Sequence, residues 1–322
     1  MVLASALVTG GAGFIGFHLS KKLAEKGYDI TIVDNLFRGK YDDDFTELIN
    51  RDNVNFINAD LTSKDTYKKL DNYYDYIYHL AAINGTKYFY EIPYKVLRNN
   101  TLSTIYLLDW ASDKKCKKIV FSSTCETYAG TKNKPIPTPE NVSLTIDDVF
   151  NPRWSYAGSK ILGELLFTNY SREYELVFSI ARIHNVYGPR DSFEHVIPEF
   201  IKRIIKKEDP FKIVGPNPTR SFCYIDDCVD ALLLIGKSDK ANGEIFNVGN
   251  PNEIKIIELA NLMFDLFDFR PSLKLEPEPP GCTMRRVPNI SKIKNVLGFE
   301  PKVDLKEGLK KTFEWYLKNL KE

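Results

Sequence analysis

Residues 7–16 read Leu7-Val8-Thr9-Gly10-Gly11-Ala12-Gly13-Phe14-Ile15-Gly16, an apolar run that breaks into a glycine turn. Ile15, Leu19 and Leu23 then recur at helical spacing as far as Lys26-Gly27, where a glycine stops the helix. A second apolar run, Ile30-Thr31-Ile32-Val33, ends at Asp34. The pattern predicts strand, glycine turn, helix, strand. In such a unit the glycines have separate tasks: a tight turn, close approach of backbone to a pyrophosphate, and close packing of helix on strand. Free N–H groups at the helix start, backed by its dipole, bind phosphate. Gly10, Gly13, Phe14, Ile15 and Gly16 are therefore the expected cradle of a dinucleotide. Asp34, with Asn35 beside it, is placed to accept the adenosine ribose hydroxyls. That favours NAD, because a 2′-phosphate beside this carboxylate is repelled; Arg38 nearby pulls the other way. A bare glycine pattern is a weak signal, and the strand, helix and terminal acid around it supply the confirming context.

The 322 residues suffice for one large or two modest domains with a buried core. Forty-four basic against forty-three acidic residues leave the charge near zero, which gives no support to nucleic acid or an anionic membrane as partner. The five cysteines form no CxxC pair, so neither a disulfide framework nor a metal site is expected, and a reducing cytoplasm fits. Residues 1–20 carry no Lys, Arg, Asp or Glu, yet they lack a basic n-region and glycines interrupt the apolar run, so a secretory signal is not expected. No later stretch is long and apolar enough to span a bilayer.

Further along, Tyr41-Asp42-Asp43-Asp44 predicts the start of a surface helix, and Val54–Asn58 a third strand followed by Asp60 and Leu61 at the adenine end of the cofactor. Residues 76–82 read as a fourth strand whose last residues, Leu80, Ala81 and Ala82, let the cofactor pass closely; His79 within it is a packing residue. A helix over about 92–113 carries Asn100, a further cofactor candidate. Lys118–Ser123 is a fifth strand that brings Ser122 to the cofactor. Prolines 135, 137 and 139 mark a loop, a helix spans 153–171, and 176–182 is a sixth strand. The expected fold is α/β, a doubly wound parallel sheet (Rossmann) with a smaller C-terminal α/β substrate domain. Residues 1–182 form the NAD-binding part and 183–322 the substrate part, with strands near 222–248 able to return to the first. Helices are expected near 195–207, 226–237, 254–268 and 304–319, with a cleft between the two parts.

Tyr156-Ala157-Gly158-Ser159-Lys160 sets a phenol and an ammonium four apart, on one helix face. A free phenol ionises near pH 10, too high for a base at neutrality, and a neighbouring ammonium lowers that value. Lys160 can also hold the nicotinamide ribose. Tyr156 can then take a proton from a sugar hydroxyl while a hydride leaves the same carbon.

With these residues in view, the chain resembles the extended short-chain dehydrogenase/reductases, specifically the NAD-dependent nucleotide-sugar epimerases and dehydratases. The resemblance covers nearly the whole length. It rests on Thr9–Gly16, Ser122-Ser123-Thr124, Tyr156–Lys160, Asn185–Arg190, Arg220-Ser221-Phe222, Asn247-Val248-Gly249, Pro288–Lys292 and Leu297–Pro301. It implies that Thr124 bonds the hydroxyl being oxidised, that Tyr156 is the base with Lys160 its partner, and that Asn185, Arg220 and Arg286 hold a nucleotide diphosphate. Asn84, Arg153 and Arg190 are the remaining substrate candidates. Forked guanidinium groups suit phosphate oxygens.

In that family the first step is oxidation at sugar C4, after which the ketone permits epimerisation, dehydration or, with a C6 carboxylate, loss of carbon dioxide. Thr124-Cys125-Glu126 resembles the Thr-Ser-Glu of UDP-glucuronate decarboxylases and the Thr-Asp-Glu of dTDP-glucose 4,6-dehydratases. Cys125 stands where the dehydratase aspartate would be, which argues against ordinary 4,6-dehydration. The same triplet, with Arg153-Trp154-Ser155, is similar to UDP-apiose/UDP-xylose synthases, although Asn84 replaces their second cysteine. The resemblance thus implies an NAD enzyme acting on a UDP or GDP sugar, leaning to decarboxylase-like or epimerase chemistry, with Tyr156, Lys160, Thr124, Glu126 and Cys125 at its centre. The alternatives are a dehydratase, a C4 dehydrogenase that releases the ketone, or a catalytically silent NAD sensor. The resemblance also implies a homodimer.

Overall fold

The computed structural model describes residues 4–113, 116–278 and 282–320; Leu3, at the head of the first expected strand unit, lies outside them. Strands β1 (Ser5–Thr9), β2 (Asp29–Asp34), β3 (Val54–Asn58), β4 (Tyr76–His79), β5 (Lys118–Thr124) and β6 (Phe178–Ile183), with a further strand Ile245–Val248, form one parallel sheet. Its order is Ile245–Val248, β6, β5, β4, β1, β2, β3. Helices cover both faces, so the strands are apolar along their length, as a two-sided burial requires; every residue of β5 is buried. The order reverses between β1 and β4, and a crevice opens there beyond the strands' carboxyl ends.

The first helices are α1 (Phe14–Glu25), α2 (Asp43–Ile49), α3 (Thr86–Glu91), α4 (Pro93–Asp113) and α5 (Trp154–Tyr174). The second half adds α6 (Val196–Ile205), α7 (Ile225–Lys237), α8 (Ile256–Leu266), α9 (Ser291–Leu297) and α10 (Leu305–Asn319). Their ends follow local chemistry. The Asp42 carboxylate accepts the Phe45 N–H at 3.0 Å and starts α2. Proline opens α4, and Gly298, at φ +71°, closes α9.

Three features depart from the expectations. The fourth strand stops at His79, short of Ala82, because the loop after it turns onto the glycine turn. Gly10 lies at φ +73°, and a Cβ there would sit 2.8 Å from the Ala81 Cα, so the two loops touch backbone to backbone. The short helix α3, capped by Gly85 (φ +123°), precedes α4 in a stretch to which the sequence pattern assigns no element. The strand Ile245–Val248 pairs in parallel with β6, Phe246 opposite Ala181, so residues past 183 complete the first sheet, as the range 222–248 allowed. The rest of the second half adds small sheets: Phe211–Val214 with Leu273–Glu276, and Thr219–Ser221 between Glu253–Lys255 and Arg285–Arg286.

Under the sheet's carboxyl edge, Arg182 of β6 forks onto Glu164 of α5, Nε to Oε1 at 2.9 Å and Nη2 to Oε2 at 2.7 Å. The same carboxylate accepts from Ser123 at 2.5 Å, and Arg182 also donates to the Tyr128 hydroxyl at 2.8 Å. Both charged side chains are almost fully buried. Removing one partner strands the other charge. Glu164→Ala should therefore cost about 3–5 kcal/mol in urea unfolding, and Glu164→Leu with Arg182→Met should recover much of that loss.

Candidate functional site

A cleft of about 1280 Å³ runs along the crevice and is lined by all the candidate residues except Arg153. Sites for a single small ligand occupy roughly 300–1,000 Å³, so this one has room for a dinucleotide and a second ligand together.

The cofactor end is built from the glycine turn. A Cβ at Gly16 would meet the Gly10 carbonyl oxygen at 2.2 Å, so α1 can approach β1 only with glycine at this position. Gly13 precedes α1 without any side-chain cap, and the first turn carries no acidic residue, which leaves its N–H groups directed at the cleft. Asp34 accepts the Ala12 N–H at 3.1 Å and the Leu36 N–H at 2.7 Å. Burial pushes its carboxyl above the usual range while these N–H groups oppose the shift. Each carboxylate oxygen retains a lone pair for a ribose hydroxyl. Arg38 has turned away from Asp34: it pairs with Glu194 at 3.1 Å and lies over the Tyr88 ring. A 2′-phosphate would face Asp34 without that arginine, so the residues present fit NAD.

Several candidates serve the loops that shape this end. Asn35 accepts the Phe37 N–H at 3.0 Å, and Asp60 accepts the Thr62 N–H at 2.8 Å. Asn100, expected at the cofactor, lines the cleft, and its amide also clamps the loop after β4, accepting the Ile83 N–H at 2.7 Å and donating to Ile83 O and Ser159 Oγ at 3.2 Å. Arg190 was expected at the substrate. Its guanidinium is buried against Phe17 and donates to Asp42 at 3.0 Å and Lys40 O at 3.1 Å, so an ion pair on the cofactor side holds it.

At the chemical end, α5 presents Tyr156 and Lys160 one turn apart beneath the end of β5. The Lys160 ammonium donates to Ser122 O at 2.6 Å and sits 4.7 Å from the Phe121 ring centroid. Burial lowers its pKa to about 7, with Glu164 opposing. The Tyr156 phenol lies near the Thr124 hydroxyl, which favours its ionised form. The sequence predicted a phenol made acidic by Lys160. The reverse holds: burial pushes the phenol well above its ordinary value, Cys125 and Glu126 add to this, and Thr124 and Arg38 oppose it. Lys160 Nζ is 6.0 Å from the phenol ring centroid and is directed at a carbonyl.

Cys125 and Glu126 open a short 3₁₀ turn, Cys125–Tyr128, after β5; Thr124 caps it by accepting the Glu126 N–H at 3.2 Å. Burial raises the Cys125 thiol, against Arg286. Burial also works against the Glu126 carboxylate, but Arg286 at 2.7 Å and Arg153 at 3.1 Å outweigh it and hold its pKa below the usual range. Arg286 lies beside Arg220 across paired strands. Arg220 donates to the carbonyls of Thr219 and Thr283, and Asn185 to Ser221 O. Sequence reasoning missed Phe89 on α3, whose ring stacks flat on Tyr156, and the Glu164–Arg182 pair below. Glu164 had a signal: it follows Lys160 by one helical turn. Among the described residues no three His, Cys, Asp or Glu side chains gather to hold a metal, and no helix is long and apolar enough to cross a membrane.

Residues 6–249 match the model of the NAD dependent epimerase/dehydratase family. The UDP-N-acetyl-alpha-D-glucosaminuronate decarboxylase of Bacillus cytotoxicus is 34% identical over 321 residues, 96% of this chain and 97% of its own. The UDP-glucose 4-epimerase of Thermotoga maritima, solved with UDP-glucose, matches with a TM-score of 0.89 at 32% identity, covering 98% of this chain and 100% of that one. The UDP-glucuronic acid 4-epimerase of Bacillus cereus, solved with UDP-glucuronic acid and NAD, matches at 0.87 and 26% identity, covering 98% and 99%.

Removing the phenolic hydroxyl leaves the glycine turn and Asp34 untouched. Tyr156→Phe should therefore lower kcat by about 10³-fold while the NAD dissociation constant, read by fluorescence titration, stays within about twofold. Unchanged turnover would remove the phenol from the chemistry.

Proposed function

The chain belongs to the NAD-dependent epimerase/dehydratase family, enzymes that act on nucleotide sugars, and from that premise we propose that it oxidises a UDP sugar acid at C4 and then removes its C6 carboxylate. The observation that carries this reading is the charge around Glu126. Arg286 and Arg220 lie side by side at one end of the cleft, where Glu126 pairs with Arg286 and also with Arg153, which stands outside the lining. The contacts of Arg220 are neutral acceptors. Half-buried guanidinium groups facing a cleft favour an anionic ligand. A nucleotide diphosphate supplies part of that charge, and a sugar carboxylate beside Arg286 supplies the rest. The names of the Bacillus cytotoxicus relative and the Bacillus cereus structure, both concerned with UDP sugar acids, point the same way.

NAD, held by the glycine turn and Asp34, would supply the acceptor and later the donor of the C4 hydride. Tyr156 and Thr124 together receive the C4 hydroxyl: threonine orients it, and the phenol oxygen takes its proton once ionised. Lys160, deprived of water, gives the phenolate a nearby positive charge when it turns from Ser122 O. The resulting β-keto acid breaks its C5–C6 bond, and the electron pair passes to the C4 oxygen as an enolate while carbon dioxide leaves. A proton from solvent at C5 restores the C4 ketone, and the protonated phenol, the acid nearest that oxygen, gives its proton back as the hydride returns to C4. Arg286 orients the carboxylate before it departs, and Glu126, braced by Arg153, keeps that guanidinium group in place. Epimerisation at C4 is the second reading, favoured by the likeness to the Thermotoga maritima 4-epimerase; it shares the first step.

Incubation with UDP-glucuronate and NAD, followed by mass spectrometry, should show a product lighter by carbon dioxide. Glu126→Gln should lower that rate by about 10²-fold. A product of unchanged mass with C4 inverted would replace decarboxylation by epimerisation.

We also propose a homodimer through α4 and α5, which pack side by side and expose Tyr94, Leu97, Leu162 and Leu165. Sedimentation should give twice the chain mass, and Leu165→Glu should return the monomer. A wild-type monomer at micromolar concentration would refute this.

A further inference from the structure

The Tyr156 ring does not rest in either of the two main cores. It belongs to a small separate cluster with Ile83, Phe89 and Val96, at the point where α3 and the start of α4 meet α5. Within it the Phe89 and Tyr156 rings lie face to face, centroids 5.0 Å apart and planes within 9°. Phe89 is buried and also lines the cleft. A tyrosine turns its hydroxyl by rotating at χ1 and χ2, and a flat wall against one face removes most of that freedom. The Thr124 hydroxyl lies near the phenol at the other end of the ring.

The wall is itself held. The Asn100 amide clamps both backbone groups of Ile83 and reaches Ser159 on α5. On the far side, Tyr88, the neighbour of Phe89, packs against Phe37 and carries Arg38 over its ring, and Arg38 pairs with Glu194. The short helix α3 is thus pinned at both flanks.

We propose that Phe89 is a positioning residue for the reaction: its ring holds the Tyr156 phenol against Thr124 in the one orientation that meets the sugar hydroxyl. This rests on the reading of the site given above. Two consequences separate it from plain packing. Misorientation of a reacting group lowers kcat and leaves substrate binding alone. The wall also keeps water from the phenol, so its loss lowers the phenol's pKa. The charged and titratable groups around that phenol are Cys125 and Glu126 on the turn after β5, Arg38 on the loop after β2, and Lys160 on α5; none of them is altered when Phe89 is replaced.

The test compares wild type, Phe89→Leu and Phe89→Tyr, each loaded with NAD and mixed with UDP-glucuronate, following bound-cofactor reduction and turnover against pH. A catalytic base must be deprotonated, so the rate climbs as pH rises through the phenol's pKa. Phe89→Leu should lose about tenfold or more in kcat, keep KM and the NAD dissociation constant within about threefold, and move the midpoint of the pH profile down by about half a unit or more. Phe89→Tyr, which keeps the ring, should recover most of the rate. A Phe89→Leu protein equal to wild type in kcat and midpoint overturns the assignment. So does a loss with an unmoved midpoint that Phe89→Tyr fails to rescue, since that is what packing alone would give. If wild type itself reduces no bound NAD with UDP-glucuronate or UDP-glucose, the reading of the site and the role of Phe89 fall together; if it does and Phe89→Leu matches it, only the role of Phe89 falls.

Discussion

The buried fork between Arg182 and Glu164 sets the geometry of everything above it. It ties α5 to β6 with two charge-assisted bonds, and through Ser123 it ties both to the end of β5. Lys160 lies one turn up α5 from Glu164 and Tyr156 one turn further, so the fork fixes the height at which they meet Thr124. An ion pair this deep gains little net stability over an apolar pair. Its value lies in direction, because an apolar contact would tolerate a slide of the helix along the sheet.

The same burial that positions these groups also disfavours their charged forms. The phenol is driven up and the ammonium down, to about 7, and desolvation is the largest cause of both shifts. Glu126 behaves differently because two guanidinium groups face it at contact distance, so its pKa stays below the usual range despite burial.

Much of this was legible in the chain. The glycine turn, Asp34 and the alternation of apolar runs with helical spacing fix the sheet, because each is local and periodic. Tyr156 and Lys160 were legible for the same reason, being one helical turn apart. What could not be read depends on contacts between distant residues. Asn100 looks like any helix asparagine until Ile83 folds back onto it. Arg190 looks like a free cation until Asp42, from a loop nearly one hundred and fifty residues earlier, meets it. The expected acidification of Tyr156 failed because sequence spacing says nothing of where Lys160 points, and it points at Ser122 O. Helix α3 is too short for periodicity to announce it.

The strand Ile245–Val248 has a consequence for synthesis of the chain. Until it emerges from the ribosome, β6 stands at the margin of the sheet with its backbone donors and acceptors unpaired, though every other strand is already in place. An open parallel margin of that kind invites a neighbouring nascent chain to pair with it. A fragment cut after the sixth strand would keep that vulnerability permanently, so the nucleotide-binding half is not a module that can be lifted out on its own.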